Sequence, residues 1–200
     1  MNYHFEDGTN SRLLVFFHGS GGDKDSMHFL RKQLDPKASV LSFDGSWGQG
    51  RERRFFAPLI DGHLDLVDFE RRLSVFLDFW QDLDIREYRQ ITFVGFSNGA
   101  NFIMGLLTKQ SNLADNYILL HPSALDYAFP IENSRAELLF TLGQNDVLID
   151  PMALENLVVD WRASAFPKAN LVRFDKGHFL SQDELNYIKD WYQERIDKKT

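Results

Sequence analysis

The chain has no cysteine, which excludes disulfides, thiolate metal sites and a cysteine nucleophile while leaving the compartment open. No apolar run approaches the roughly 18 residues of a membrane-spanning helix. The opening stretch MNYHFEDGTNS lacks the basic start and apolar core of a signal peptide, so a cytoplasmic protein is expected. Basic residues are in deficit: 22 Lys and Arg stand against 29 Asp and Glu, for a formal net charge of -7. That balance argues against a nucleic-acid partner, which usually meets a basic patch. Internal repeats, low-complexity segments and linkers are missing as well.

Two hundred residues, 44% of them apolar, are enough for one domain with a sizeable core. A single domain over residues 1–200, with no room for a cap, is therefore expected. Aromatics are abundant: eighteen Phe and four Trp imply a large core, or an aromatic-lined cavity in addition to it.

Short continuous apolar runs alternate with amphipathic stretches. Residues 12–17, 39–43, 91–94, 117–120, 137–142 and 170–174 read as buried strands. Residues 26–34, 65–83, 98–109, 152–163 and 182–196 read as helices. The clearest is 65–83, where Leu66, Phe69, Leu73, Phe76, Leu77 and Trp80 recur at steps of three and four. The segment 44–63 is loop-like, with Gly45, Gly48, Gly50, Pro58 and Gly62. This alternation predicts an α/β fold: a mainly parallel sheet of about six to seven strands, covered by helices on both faces. In such sheets the site lies beyond the carboxyl ends of the strands.

One of those ends carries Gly95-Phe96-Ser97-Asn98-Gly99, a G-x-S-x-G pattern between a predicted strand and a predicted helix. Small residues two positions either side of the serine let strand and helix pack closely around a sharp turn. Ser97 could instead be only a helix N-cap. As a nucleophile it would need a base, a carboxylate to hold that base, and donors for the charge on the attacked oxygen. His178, in the loop after the last predicted strand, is the candidate base. Asp146, in the Gly143-Gln144-Asn145-Asp146 turn, is the favoured acid. Asp150 remains a rival, although its place before Pro151 also suits a helix cap. The backbone amides of Ser20, in the glycine-rich His18-Gly19-Ser20-Gly21-Gly22 turn, and of Asn98 are candidates for the oxyanion hole. The spacing of that turn does not fit a nucleotide-binding P-loop. His18 reads as a structural residue of its own loop.

These residues resemble an α/β-hydrolase. More narrowly, they are similar to the carboxylesterase/phospholipase family of small cap-less serine esterases, which includes acyl-protein thioesterases and bacterial predicted esterases. The likeness rests on FFHGSGGD (16–23), GFSNGANF (95–102), GQNDVLIDP (143–151) and KGHFLSQDEL (176–185), in matching order across nearly the whole chain. It implies Ser97 as nucleophile, Asp146 as acid, His178 as base and the Ser20 and Asn98 amides as oxyanion hole. Two departures stand out. Pro151 lies five residues after Asp146 where the family often has four, and the edge strands before residue 12 shrink to Tyr3-His4-Phe5 at most.

The expected activity is hydrolysis of a carboxylic ester or thioester through an acyl-enzyme on Ser97, on a small-molecule substrate. Hydrolysis of an aryl ester, lactone or C–C bond, or non-catalytic ligand binding, are the alternatives. Trp47, Phe55, Phe56, His121 and Val147 are expected to line the substrate pocket. Arg51, Arg53 and Arg54 could favour an acidic substrate or form a solvated face. No cofactor or metal is assigned, and the chain is expected to be a monomer or homodimer.

Overall fold

The structure is a computed structural model and describes residues 1–128 and 133–197. Its strands are β1 (Tyr3–Glu6), β2 (Arg12–Phe17), β3 (Ser39–Phe43), β4 (Gln90–Phe96), β5 (Asn116–Leu120), β6 (Glu137–Gly143) and β7 (Ala169–Phe174). Its α-helices are α1 (Phe29–Leu34), α2 (Leu66–Gln81), α3 (Asn98–Lys109), α4 (Pro151–Ala163) and α5 (Gln182–Asp197). The strands form one sheet in the order β1-β3-β2-β4-β5-β6-β7. Among the described strands only β1 runs antiparallel.

Because both faces of the sheet are covered, strand residues are apolar in both directions. On β2, Leu13, Val15 and Phe17 enter the core shared with α2, α3 and α4. Leu14 and Phe16 enter the core shared with α1 and α5. A strand with only one buried face would have alternated apolar with polar residues, so the unbroken run Leu13 to Phe17 is the sequence trace of two-sided burial.

The central helix, α3, is buried from Asn98 through Thr108. Its Gly105 lies against the Phe69 ring of α2, where a Cβ would come within 2.4 Å of Cζ. In α2 the expected stripe holds for Phe69, Leu73, Phe76 and Trp80, while Leu66 is exposed. Two elements differ from the sequence expectation. Tyr3–Glu6 forms a complete antiparallel edge strand. The first helix starts at Phe29 rather than Ser26, because Asp23 and Ser26 close a turn on each other: Asp23 N donates to Ser26 Oγ at 2.9 Å, and Ser26 Oγ to Asp23 Oδ1 at 2.7 Å. Among the described residues no helix is long and apolar enough to cross a membrane.

The segment between β3 and α2 is tied to the fold by Asp68 in the first turn of α2. Its carboxylate accepts from the Ala57 amide at 2.8 Å, from Arg72 Nε at 2.7 Å and from Arg71 Nη2 at 2.8 Å. Burial opposes the Asp68 charge, but these donors outweigh it and lower its pKa to about 2. A depressed carboxylate stabilises the fold above its unfolded pKa and loses that contribution as pH falls through the folded value. Asp68→Asn should therefore lower the melting temperature near pH 6. The gap to the parent protein should close as the pH approaches 2, as thermal melts followed by circular dichroism across pH would show.

Candidate active site

At the carboxyl edge of the sheet the chain turns sharply from β4 into α3, and Ser97 occupies the turn with φ 50° and ψ -111°. A non-glycine residue in this region is strained by about 1–3 kcal/mol and persists where its surroundings over-determine it. Here the Ser97 amide donates to the Leu120 carbonyl at 2.8 Å, and its own carbonyl accepts from the Asn101 amide at 2.9 Å. The flanking glycines are steric necessities. A Cβ on Gly99 would sit 2.1 Å from the Phe17 carbonyl oxygen, and one on Gly95 2.6 Å from the Ala100 nitrogen. Ser97 makes no side-chain cap to α3. Its hydroxyl faces His178 instead, with Oγ 2.8 Å from Nε2.

His178 arrives on the loop between β7 and α5, and Asp146 on the loop after β6. The two loops touch at Gly143, where a Cβ would come within 2.5 Å of the Gly177 and Lys176 carbonyl oxygens. The Asn145 amide donates to the Lys176 carbonyl at 3.0 Å and locks the loops together. Asp146 is buried and places Oδ2 2.6 Å from His178 Nδ1, while its Oδ1 accepts from the Leu148 amide at 2.9 Å. Burial by itself would raise the Asp146 pKa. Hydrogen bonds from His178, His121 and the Leu148 amide outweigh it and hold the carboxyl below its ordinary value. The result is an ionised carboxylate facing one imidazole nitrogen and a hydroxyl facing the other. Asp150 does something else: its Oδ1 accepts from the Met152 and Ala153 amides at 3.0 and 3.1 Å and caps α4.

Ser20 lies in the turn after β2. Asn98 is the first residue of α3, so its amide has no carbonyl four residues back within the helix. The Asn98 side chain is occupied elsewhere, its Oδ1 accepting from the Phe55 amide at 2.7 Å. A cavity of about 350 Å³ opens beside Ser20 and His178 and is walled by Met27, Phe29, Phe96, Phe179 and Leu180. Phe29 and Phe179 stay 46% and 55% exposed, so they form its rim.

A serine on such an elbow, followed along the chain by aspartate and then histidine, follows the chain order of the α/β-hydrolase class. The comparisons agree. No family model matches the chain. A curated Bacillus subtilis protein named "Putative hydrolase MhqD" is 30% identical over 98% of this chain and 100% of its own length. A solved carboxylesterase of Bacillus cereus superposes with TM-score 0.88 and 26% identity, covering 100% of this chain and 95% of that one. Acyl-protein thioesterase 2 of Zea mays shares the fold with TM-score 0.75 at 16% identity, covering 98% and 99% of the two chains. The chain belongs to the α/β-hydrolase-like esterase family.

Ser97, Asp146 and His178 thus come together, while the residues expected to wall the pocket do not line the cavity beside His178. Phe55 and Phe56 are buried in the core shared with α2 and α3, because aromatic rings gain more from packing there than at a rim. Val147 is 94% exposed. Trp47 is half-buried and carries the Arg54 guanidinium over its ring. His121 is fully buried behind Asp146. Of the three arginines, Arg53 pairs with Asp44 at 3.4 Å and Arg54 with Trp47, so neither forms a free anion-binding face. His18 is held in its own loop, Nδ1 2.6 Å from the Gly19 carbonyl and Nε2 accepting from the Gly45 amide at 2.8 Å.

Sequence reading missed Phe96, whose ring touches both His121 and His178, and Glu184 on α5. Two groups of potential metal ligands occur among the described residues: His121 with Asp146 and His178, and His4 with Glu6 and His28. In the first, both imidazoles face the carboxylate through hydrogen bonds. In the second, Glu6 pairs with Arg31 and His28 Nε2 with Ser42 Oγ at 2.9 Å. Asp150→Ala should remove a cap worth about 0.5–2 kcal/mol. Urea unfolding should record that loss, while the ring-nitrogen NMR signals of His178 stay where they are. Asp146→Asn should shift those signals.

Proposed function

We propose that the protein is a serine esterase in which Ser97 attacks, His178 moves the proton and Asp146 holds His178. One observation carries the reading: a single imidazole lies 2.8 Å from the Ser97 hydroxyl and 2.6 Å from a buried carboxylate. As Ser97 Oγ bonds to the ester or thioester carbonyl carbon, its proton passes to His178 Nε2. The imidazolium that forms is stabilised by Asp146, whose ionised state requires no change during the step. The carbonyl oxygen becomes an oxyanion, and the amides of Ser20 and Asn98 are its donors. A donor pair of this sort contributes about 2.7–4 kcal/mol per member to lowering the barrier. The tetrahedral species collapses, the C–O or C–S bond breaks, and His178 returns the proton to the leaving alcohol or thiol. Water then repeats the sequence in reverse and frees the acid and Ser97.

The cavity beside His178 fits the leaving group. His178 must reach the leaving atom to protonate it, and the wall next to it is Phe96, Phe179 and Leu180. An apolar or aryl alcohol suits such a lining. A carboxylesterase at 26% identity over the full chain supports the same class of substrate.

Ser97→Ala should abolish labelling by a fluorophosphonate probe and turnover of p-nitrophenyl acetate, with the melting curve preserved; persistent turnover would reject the mechanism. Asp146→Asn should reduce kcat by about four orders of magnitude, because the imidazole loses its partner. Phe179→Ala should lower kcat/KM for naphthyl acetate by about tenfold but leave ethyl acetate nearly unaffected. Equal losses on both esters would move the leaving group out of that cavity.

A further inference from the structure

Behind the Ser97–His178–Asp146 row lies a second histidine that the mechanism above does not use. His121 follows β5 with φ 49°, a left-handed conformation rare for a residue with a side chain. Its side chain is fully buried, as is that of Glu184, which reaches in from the first turn of α5. Its two ring nitrogens face two different carboxylates: Nδ1 is 3.1 Å from Asp146 Oδ2, and Nε2 is 3.2 Å from Glu184 Oε2. Asp146 Oδ2 is the same atom that receives His178 Nδ1. The groups facing His121 are therefore Asp146 from the loop after β6, Glu184 from α5, His178 at 5.5 Å between ring centroids, and the uncharged Phe96 from the end of β4.

A neutral imidazole has one N–H and one lone pair, so between two ionised carboxylates it would aim the lone pair at one of them. The imidazolium donates to both. It also supplies the positive charge that two buried carboxylates require, since an uncompensated buried charge is strongly unfavourable. Glu184 Oε1 is buried without a hydrogen-bond partner, which leaves Oε2 and His121 as the balance for that charge. Burial acts against charge on His121, but Glu184 and then Asp146 outweigh it and raise its pKa above the ordinary value.

We propose that His121 is a positioning residue, an imidazolium clamped between Glu184 and Asp146 that holds the Asp146 carboxylate in register with His178. The positive φ at His121 coincides with a ring that lies inward between the two acids. It also separates two roles for imidazole at one carboxylate: His178, with its side chain 20% exposed, exchanges protons with Ser97, and His121, fully enclosed, does not. The proposal rests on the esterase reading for its kinetic consequence but not for its structural one.

Ring-nitrogen NMR on the full-length protein reads the structural part directly. At pH 7.5 His121 should show two protonated ring nitrogens. In Glu184→Gln the His121 ring should lose one proton at that pH. The kcat on p-nitrophenyl acetate should drop by between about tenfold and a hundredfold, the range for a misplaced catalytic group, with KM within twofold. His121→Gln, which keeps an N–H for Asp146, should retain more kcat than His121→Phe. A singly protonated His121 in the unmodified protein, or an unchanged kcat in Glu184→Gln, would overturn the clamp. If the His121 variants do not fold, the spectrum of the unmodified protein and Glu184→Gln decide alone. Failure of the esterase reading is distinct: Ser97→Ala would keep its turnover while the His121 ring state stayed as expected.

Discussion

The close approach of α3 to the ends of β2 and β4 governs everything at the sheet edge. Gly99 leaves no space for a side chain above the Phe17 carbonyl, and Gly95 none beneath Ala100. Only with that contact can the chain reverse within one residue, and that residue is Ser97, in a conformation its class rarely adopts. The burial of α3 along nearly its whole length supplies the apolar energy against which such strain is small. The turn lifts the hydroxyl clear of the helix, so it is free of capping and meets His178.

The second constraint is electrostatic. Asp146 and Glu184 are both removed from water around His121, and the two histidines between and beside them are their counterparts. Buried acids of this kind are tolerated when donors or an opposite charge compensate them. Glu184 meets one donor, His121 at Oε2. Asp146 meets three: two imidazole nitrogens and the Leu148 amide. That density of donors keeps it ionised against its burial. The touching loops after β6 and β7, joined at Gly143 and Gly177, then hold the arrangement without a covalent link.

Much of this was legible in the chain. The unbroken apolar runs announced a sheet buried on both faces, and the strands and helices fell close to their expected places because period and punctuation are local properties. The elbow was legible because close packing leaves glycine in characteristic positions. Asp146 and His178 were legible by their place after strands and by resemblance to a known family. The pocket was not. Phe55 and Phe56 looked like cavity walls, but an aromatic residue in a loop carries no mark of whether it faces a cavity or the core. Glu184 lies in an ordinary amphipathic helix where most acids face solvent, and nothing local distinguishes the one that turns inward.

Sequence alone thus determined the fold class, the chain order of Ser97, Asp146 and His178 and the turn that exposes Ser97, because each depends on short-range pattern or on steric need within a few residues. Tertiary structure decided which aspartate faces His178, where the cavity opens, and that His121 stands between two carboxylates. Those outcomes depend on distances between segments 25 to 81 residues apart, which are set by how the loops pack and not by anything written near them in the chain.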